Sequence, residues 1–406
     1  MKGIIILSVV LWDFYQSFLV RLNDLAAKRP LPENVKDVYD EAEYKRFVDY
    51  RTDNKKLSVI RSTIATLFTL IFLITDLYAM AFDRLPGNDY VKTILLLLIF
   101  ETISYVVSIP FGYYDTFVIE ERYGMNKSTK KTFVLDQIKE YVIGIVLNIG
   151  LISLVRLFLL NFGNWGILFT LLAITLVMLV INCFSLTFMK IFNKFTPIED
   201  GELKEELLAL CGKYQVSVKA ISIMDASRRT TRANAFCTGI GKKKNISLDD
   251  NLVNRYSPRQ IVAVFAHEFG HAKYKHLPKQ VLISILQLAI YVLVIGGMVN
   301  VPELFTAFGF EQTNYYFLFV LFSYVSWPFT VILGLVLNFF SRKCEYEADA
   351  FAAKEGYGEE LVTALKQLSK DSLSNLNPHP WIVALEYSHP TISQRAAAIA
   401  ELEEKA

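Results

Sequence analysis

The sequence predicts a mainly α-helical membrane protein, with seven spanning helices carrying a small α+β domain assembled from two separated polar segments. Three observations lead there. Apolar residues make up 53% of the 406-residue chain and charged residues only 20%, where soluble domains carry about 25% charged residues. The apolar residues are massed into runs of about twenty, long enough to cross roughly 30 Å of hydrocarbon. Long polar stretches interrupt those runs late in the chain, between 190 and 279 and again after 340.

The spans are expected at 3–20, 58–82, 91–114, 141–162, 166–189, 279–300 and 315–340. The first could be mistaken for a secretory leader. A single lysine precedes it, Trp12 and Asp13 interrupt it, and no small-residue cleavage site follows, so it reads as an uncleaved span. The fourth and fifth are separated only by Gly163, Asn164 and Trp165, a very tight turn. The chain thus divides into spans 1–5 (1–190), a polar segment (191–278), spans 6–7 (279–340) and a polar C-terminal segment (341–406). Nine Lys or Arg fall in 21–57 and five in 115–140, against two in 83–92 and none in 301–314. Basic loops favour the cytoplasmic side. The N-terminus is therefore expected outside, with both polar segments inside, where they can combine.

In the first polar segment 197–213 reads as an amphipathic helix, and 220–224, 245–248 and 233–238 as short strands. Residues 259–275 read as a helix opened by Ser257-Pro258. A net charge of +2 offers no attraction to nucleic acid. The four cysteines, Cys183, Cys211, Cys237 and Cys344, are scattered without CxxC spacing, so neither a disulfide framework nor a sulfur-ligated metal is indicated.

The chemistry centres on His267-Glu268-Phe269-Gly270-His271. Two histidines four apart project from one helix face and can share a metal, with Glu268 beside it. Catalytic zinc usually takes a third protein ligand and leaves a position for water. His276 lies nine residues after His267, out of phase on a continuous helix, and is expected to point away as a surface or supporting residue. The extended HExxHxxGxxH pattern also fails, since Tyr274 and Leu277 stand where Gly and His are needed. Glu345 is the better candidate. Asp349, four residues on, shares its face and could hold a histidine N–H, whereas Glu347 is turned away. A solvated charged helix end remains the plainer reading of that segment. Two histidines and a carboxylate suit zinc, with Glu268 as general base. His389 and Arg395 are candidate donors to the oxyanion, although spacing alone does not bring them to the metal.

Beyond that motif, FVIEERYG (117–124), FNKFTPIEDGEL (192–203), ELFTAFGF (303–310), EYEADA (345–350) and YSHP (387–390) occur in order. With these the chain resembles the type I CAAX prenyl endopeptidases, integral-membrane zinc proteases of the Ste-twenty-four type, from Leu31 to the C-terminus. The resemblance implies seven helices enclosing a water-filled chamber, capped by a zincin-like α+β domain holding one zinc. It implies Glu345 as third ligand, and Asn234, Ala235 and Phe236 as a segment aligning substrate beside an edge strand. His389 and Arg395 match positions that contact the transition state or substrate carbonyls. The implied substrate is a peptide or lipidated protein with a CAAX-like C-terminus, met at the membrane by a monomeric enzyme.

The stretch between Asn245 and His267 is compact, and the tail Glu-Glu-Lys-Ala carries no dilysine signal. Both point to a bacterial cytoplasmic membrane with the site facing the cytoplasm; a eukaryotic member would sit in the ER or inner nuclear membrane. Asp76, Glu101, Arg156 and Asn182 fall within expected spans and should face the chamber, since charge at bilayer depth is costly. Two other functions fit parts of the pattern. One is a membrane quality-control zinc protease. The other is a non-proteolytic zinc-containing scaffold or chaperone, which a three-ligand site with a retained Glu268 disfavours.

Overall fold

The computed structural model describes residues 1–26, 29–163, 165–215, 217–238 and 243–405. Helix α1 (Lys2–Ala26) lies against α2 (Glu41–Ile74), which starts on a capping box between Asp40 and Glu43. A break at Asp76, in the left-handed region at φ 55°, separates α2 from the short α3 (Leu77–Arg84). The single span expected over 58–82 is therefore broken. Asp76 sits at the break, where it takes Lys2 Nζ at 2.7 Å. Next come α4 (Asp89–Tyr114), which runs on through a π-helical turn to Glu120, and α5 (Lys130–Phe162). α6 (Trp165–Cys183) and α7 (Ser185–Phe192) follow. Asn164, in the expected tight turn, lies outside the described residues. Gly166 lies so close to α5 that an added Cβ would meet the Phe158 carbonyl oxygen at 2.3 Å.

The α+β part begins with β1 (Phe195–Pro197), and α8 (Glu202–Lys213) starts five residues later than the amphipathic pattern suggests. Strands β2 (Ser217–Met224), β3 (Ala235–Thr238) and β4 (Lys243–Asp249) complete a sheet ordered β1-β2-β4-β3, parallel between β2 and β4 and antiparallel elsewhere. β3 is thus an edge strand. α9 (Asp250–Arg255) leads to α10 (Pro258–Lys273), which carries both histidines of the motif. Ser257 caps α10 through a reciprocal box with Gln260, and Pro258 fills the first turn, where a missing N–H costs nothing.

α11 (His276–Val299), α12 (Glu303–Thr306), α13 (Tyr315–Val325) and α14 (Trp327–Lys354) return to the membrane and come back. α15 (Gly358–Asp371), α16 (Pro380–Glu386) and α17 (Ile392–Glu403) close the chain. Among the described residues six helices are long and apolar enough to span a bilayer, and there are seven if the pair α13–α14, bent by 60°, counts as one span. Large apolar side chains on these helices, such as Phe14, Leu172, Leu176, Leu286 and Leu293, are exposed, as lipid-facing residues are.

Among the described residues three buried clusters hold the fold. Phe100, Phe305, Phe308 and Phe317 anchor the membrane bundle, which places the 303–310 signature in its core. Phe265, Phe269 and Phe351 anchor the α+β part around α10. The third cluster joins Tyr39, Phe47, Ile119 and Tyr123 from the first half to Leu373 and Leu376 near the C-terminus.

Candidate active site

α10 is buried along most of its length, from Ile261 to Gly270, with Glu268 half-buried. Its partner α14 crosses at Gly270. A Cβ on Gly270 would lie 3.0 Å from Ala348 Cα and 3.2 Å from Phe351 Cβ, so only glycine admits α14 this close. The crossing sets Glu345 and Asp349 against the histidines. His267 Nε2 and His271 Nε2 are 3.2 Å apart, and Glu345 places Oε2 3.4 Å from the first and Oε1 3.3 Å from the second. A tetrahedral ion with bonds of about 2.0–2.1 Å spaces its ligand atoms about 3.3–3.4 Å apart, close to the separations of these nitrogen and oxygen pairs, although each histidine faces a different Glu345 oxygen. Buried Glu345 Oε2 makes no well-formed hydrogen bond and has His267 Nε2 at 3.4 Å and Arg395 Nη1 at 3.6 Å for neighbours. Among the described residues these three form the group able to converge on one metal.

Behind His267 stands Asp349, whose Oδ1 lies 2.8 Å from Nδ1. Arg395 in turn donates from Nε and Nη2 to the two Asp349 oxygens at 2.8 and 2.6 Å. Burial and the Arg395 charge both disfavour a cationic His267, yet its hydrogen bonds to Asp349 and Glu345 prevail and raise its pKa to about 9. Burial likewise opposes the charge of Arg395, but Asp349, then Glu345 and Glu268, raise its pKa. Resemblance assigned Arg395 to a substrate carbonyl. In the structure it is 5% exposed, with Nε and Nη2 on Asp349, Nη2 also 3.2 Å from His267 Nδ1, and Nη1 3.6 Å from Glu345 Oε2.

His389 lies on the open side, with Nε2 3.4 Å from Glu345 Oε1 and a side chain 63% exposed. The loop bearing it is tied to α14, because Arg342 Nη1 donates to the Val383 and Tyr387 carbonyls at 2.8 Å each and Asn338 Nδ2 to Leu385 O at 2.7 Å. Asn234 precedes edge strand β3, which carries Ala235 and Phe236, and β3 lies against α10. Its approach is pinned by the 117–124 signature, where Glu120 accepts from Arg232 at 2.9 Å and Tyr50 at 2.7 Å. At the far side of β3, burial first and Asp250 second push the Asp249 carboxyl up to about 7.

His276 departs from the helical-phase expectation. α10 stops at Lys273, and Lys275 adopts φ 55°. The turn brings His276 back, 1% exposed, with its Nδ1 2.9 Å from His271 Nδ1. Phase counting assumed a helix that the chain does not continue. Sequence reasoning also missed Gly270 as the crossing point and Arg342 as the clamp on the His389 loop. HEFGH already displayed the first, but nothing local indicated what Gly270 would face.

Comparison with known proteins gives the family of this fold. Residues 197–403 match the family model of peptidase family M48, and residues 21–194 match that of the CAAX prenyl protease N-terminal region, with five membrane helices. The chain is 30% identical to a CAAX prenyl protease 1 homolog of Oryza sativa subsp. japonica over 98% of its own length and 96% of the relative's. It is 29% identical to CAAX prenyl protease 1 of Saccharomyces cerevisiae over 98% and 94% of the two chains. The crystal structure of S. mikatae Ste24p superposes with a TM-score of 0.92 at 27% identity, covering 98% of each chain. This chain therefore belongs to peptidase family M48, in its type I CAAX prenyl protease branch, and is a multi-pass membrane metalloendopeptidase.

Proposed function

We propose that the metal is zinc and that the enzyme cuts near the C-terminus of lipidated, CAAX-like proteins or peptides, with its site facing the cytoplasm. The observation that carries the zinc reading is the convergence of the His267, His271 and Glu345 donors, with one ligand atom from each within 4.8 Å of the others. Bound there, zinc supplies Lewis acidity and a water acidic enough to ionise near neutral pH. Glu268, one residue beyond His267, takes that proton and returns it to the leaving amine. The free edge of β3 at Asn234, Ala235 and Phe236 pairs with the substrate backbone as an added strand. His389, exposed beside Glu345, donates to the oxyanion as it forms. Asp349 and Arg395 fix the His267 ring and its Nδ1–H.

The basic loops at 21–57 and 115–140 support the cytoplasmic orientation, and the compact stretch before His267 supports a bacterial cytoplasmic membrane. The names of the relatives support a prenylated substrate. The test offers farnesylated and unmodified CAAX peptides to the purified, zinc-quantified protein. Glu268→Ala should retain zinc and lose cleavage by at least about a hundredfold. An equally active variant would remove Glu268 from its role. Equal cutting of both peptides would favour a general quality-control protease, and a zinc-bound protein that cuts neither would favour a scaffold.

A further inference from the structure

His276 is buried, and no step of the mechanism uses it. It begins α11, directly after Lys275, whose left-handed backbone is uncommon for a residue with a side chain. That turn places His276 Nδ1 2.9 Å from His271 Nδ1 and its Nε2 3.0 Å from Glu347 Oε2. One hydrogen must lie between the two Nδ1 atoms. With His271 Nε2 turned to the metal triangle, its Nδ1 carries the hydrogen and donates, so His276 Nδ1 accepts. The His276 Nε2–H then donates to Glu347. Every polar atom in the series is satisfied, and each imidazole is held in one neutral tautomer.

We propose that His276 and Glu347 are positioning residues of the metal site, orienting the His271 ring and raising the basicity of its Nε2. They do for His271 what Asp349 and Arg395 do for His267, with one extra imidazole interposed. The arrangement gives a use to each acidic residue of Glu345-Tyr346-Glu347-Ala348-Asp349. Glu345 faces the metal, Asp349 backs one histidine, and Glu347, turned off that face, backs the other through His276. The inference rests on the reading of His267, His271 and Glu345 as metal ligands.

The test strips metal from the full-length protein in detergent and measures zinc affinity by competition with a chromogenic chelator. Glu347 has a side chain 38% exposed, so its replacement leaves the fold intact. Glu347→Leu should weaken zinc binding about 10–100-fold, the range for losing a supporting partner, with unfolding of the metal-free protein unchanged. Glu347→Gln, whose amide oxygen still accepts from His276, should recover most of the affinity, and His276→Ala should lose at least as much as Glu347→Leu. Parent-like affinity in Glu347→Leu, or equal losses in the Leu and Gln variants, would overturn the proposal. A parent protein that takes up no stoichiometric zinc would sink the metal reading and this inference together, whereas unchanged affinity in the variants sinks the inference alone.

Discussion

Replacing Gly270 by alanine tests the crossing on which the metal triangle depends. The new Cβ would stand 3.0 Å from Ala348 Cα and 3.2 Å from Phe351 Cβ, where carbon atoms settle at about 3.5–4.0 Å. Ala348 offers a backbone atom, which cannot swing aside, so relief requires α10 and α14 to part by about half an ångström. Overpacking of this kind costs about 1–3 kcal/mol. His267 and Glu345 each lie about one turn before the contact on their own helix. The displacement therefore reaches side chains that meet at 3.2–3.4 Å, where a metal site tolerates about 0.2 Å in its bonds. Gly270→Ala should lower the unfolding temperature and weaken metal binding roughly tenfold or more. Thermal unfolding with and without chelator, together with a competitive metal titration, reads both. A variant with the parent's melting temperature and metal affinity would refute the close-crossing argument outright.

Two further outcomes follow from the surroundings of the site. Asp249 has its carboxyl pKa raised to about 7, above an unfolded value of about 3.9. Its contribution to stability is therefore complete below about pH 4 and is lost as pH rises to about 7, some 4 kcal/mol in all. Asp249→Asn should consequently gain on the parent across that window, and a melting-temperature difference that ignores pH would count against it. Arg342→Met frees the loop that carries His389 while keeping the helix. It should reduce kcat by about tenfold to a hundredfold at unchanged metal content, and an unchanged kcat would remove the clamp from the mechanism.

Features governed by local rules could be read from the sequence. The hydrocarbon core forces long apolar runs wherever the chain crosses it, so the spans stood out. HEFGH stood out because two ligands of one ion lie on one helical face. Features set by how elements meet were invisible. The break at Asp76 depends on Lys2 from another helix, and the fate of Arg395 depends on Asp349 from α14. His276 is the supporting residue of the two alternatives offered, but phase counting does not give its place, because α10 ends at Lys273 and Lys275 turns the chain. Edge strand β3 could be guessed as a strand, whereas its position at the margin follows from the parallel pairing of β2 with β4.

The order of ligands along the chain has a consequence for biogenesis. His267 and His271 leave the ribosome first, and α11, α12 and α13 must be made before α14 delivers Glu345. Until α14 has been made, the nascent protein presents His267, Glu268 and His271 without Glu345. On the proposed ligand set, metal capture therefore waits for α14, and a chain stalled before it would lack Glu345 and be no protease.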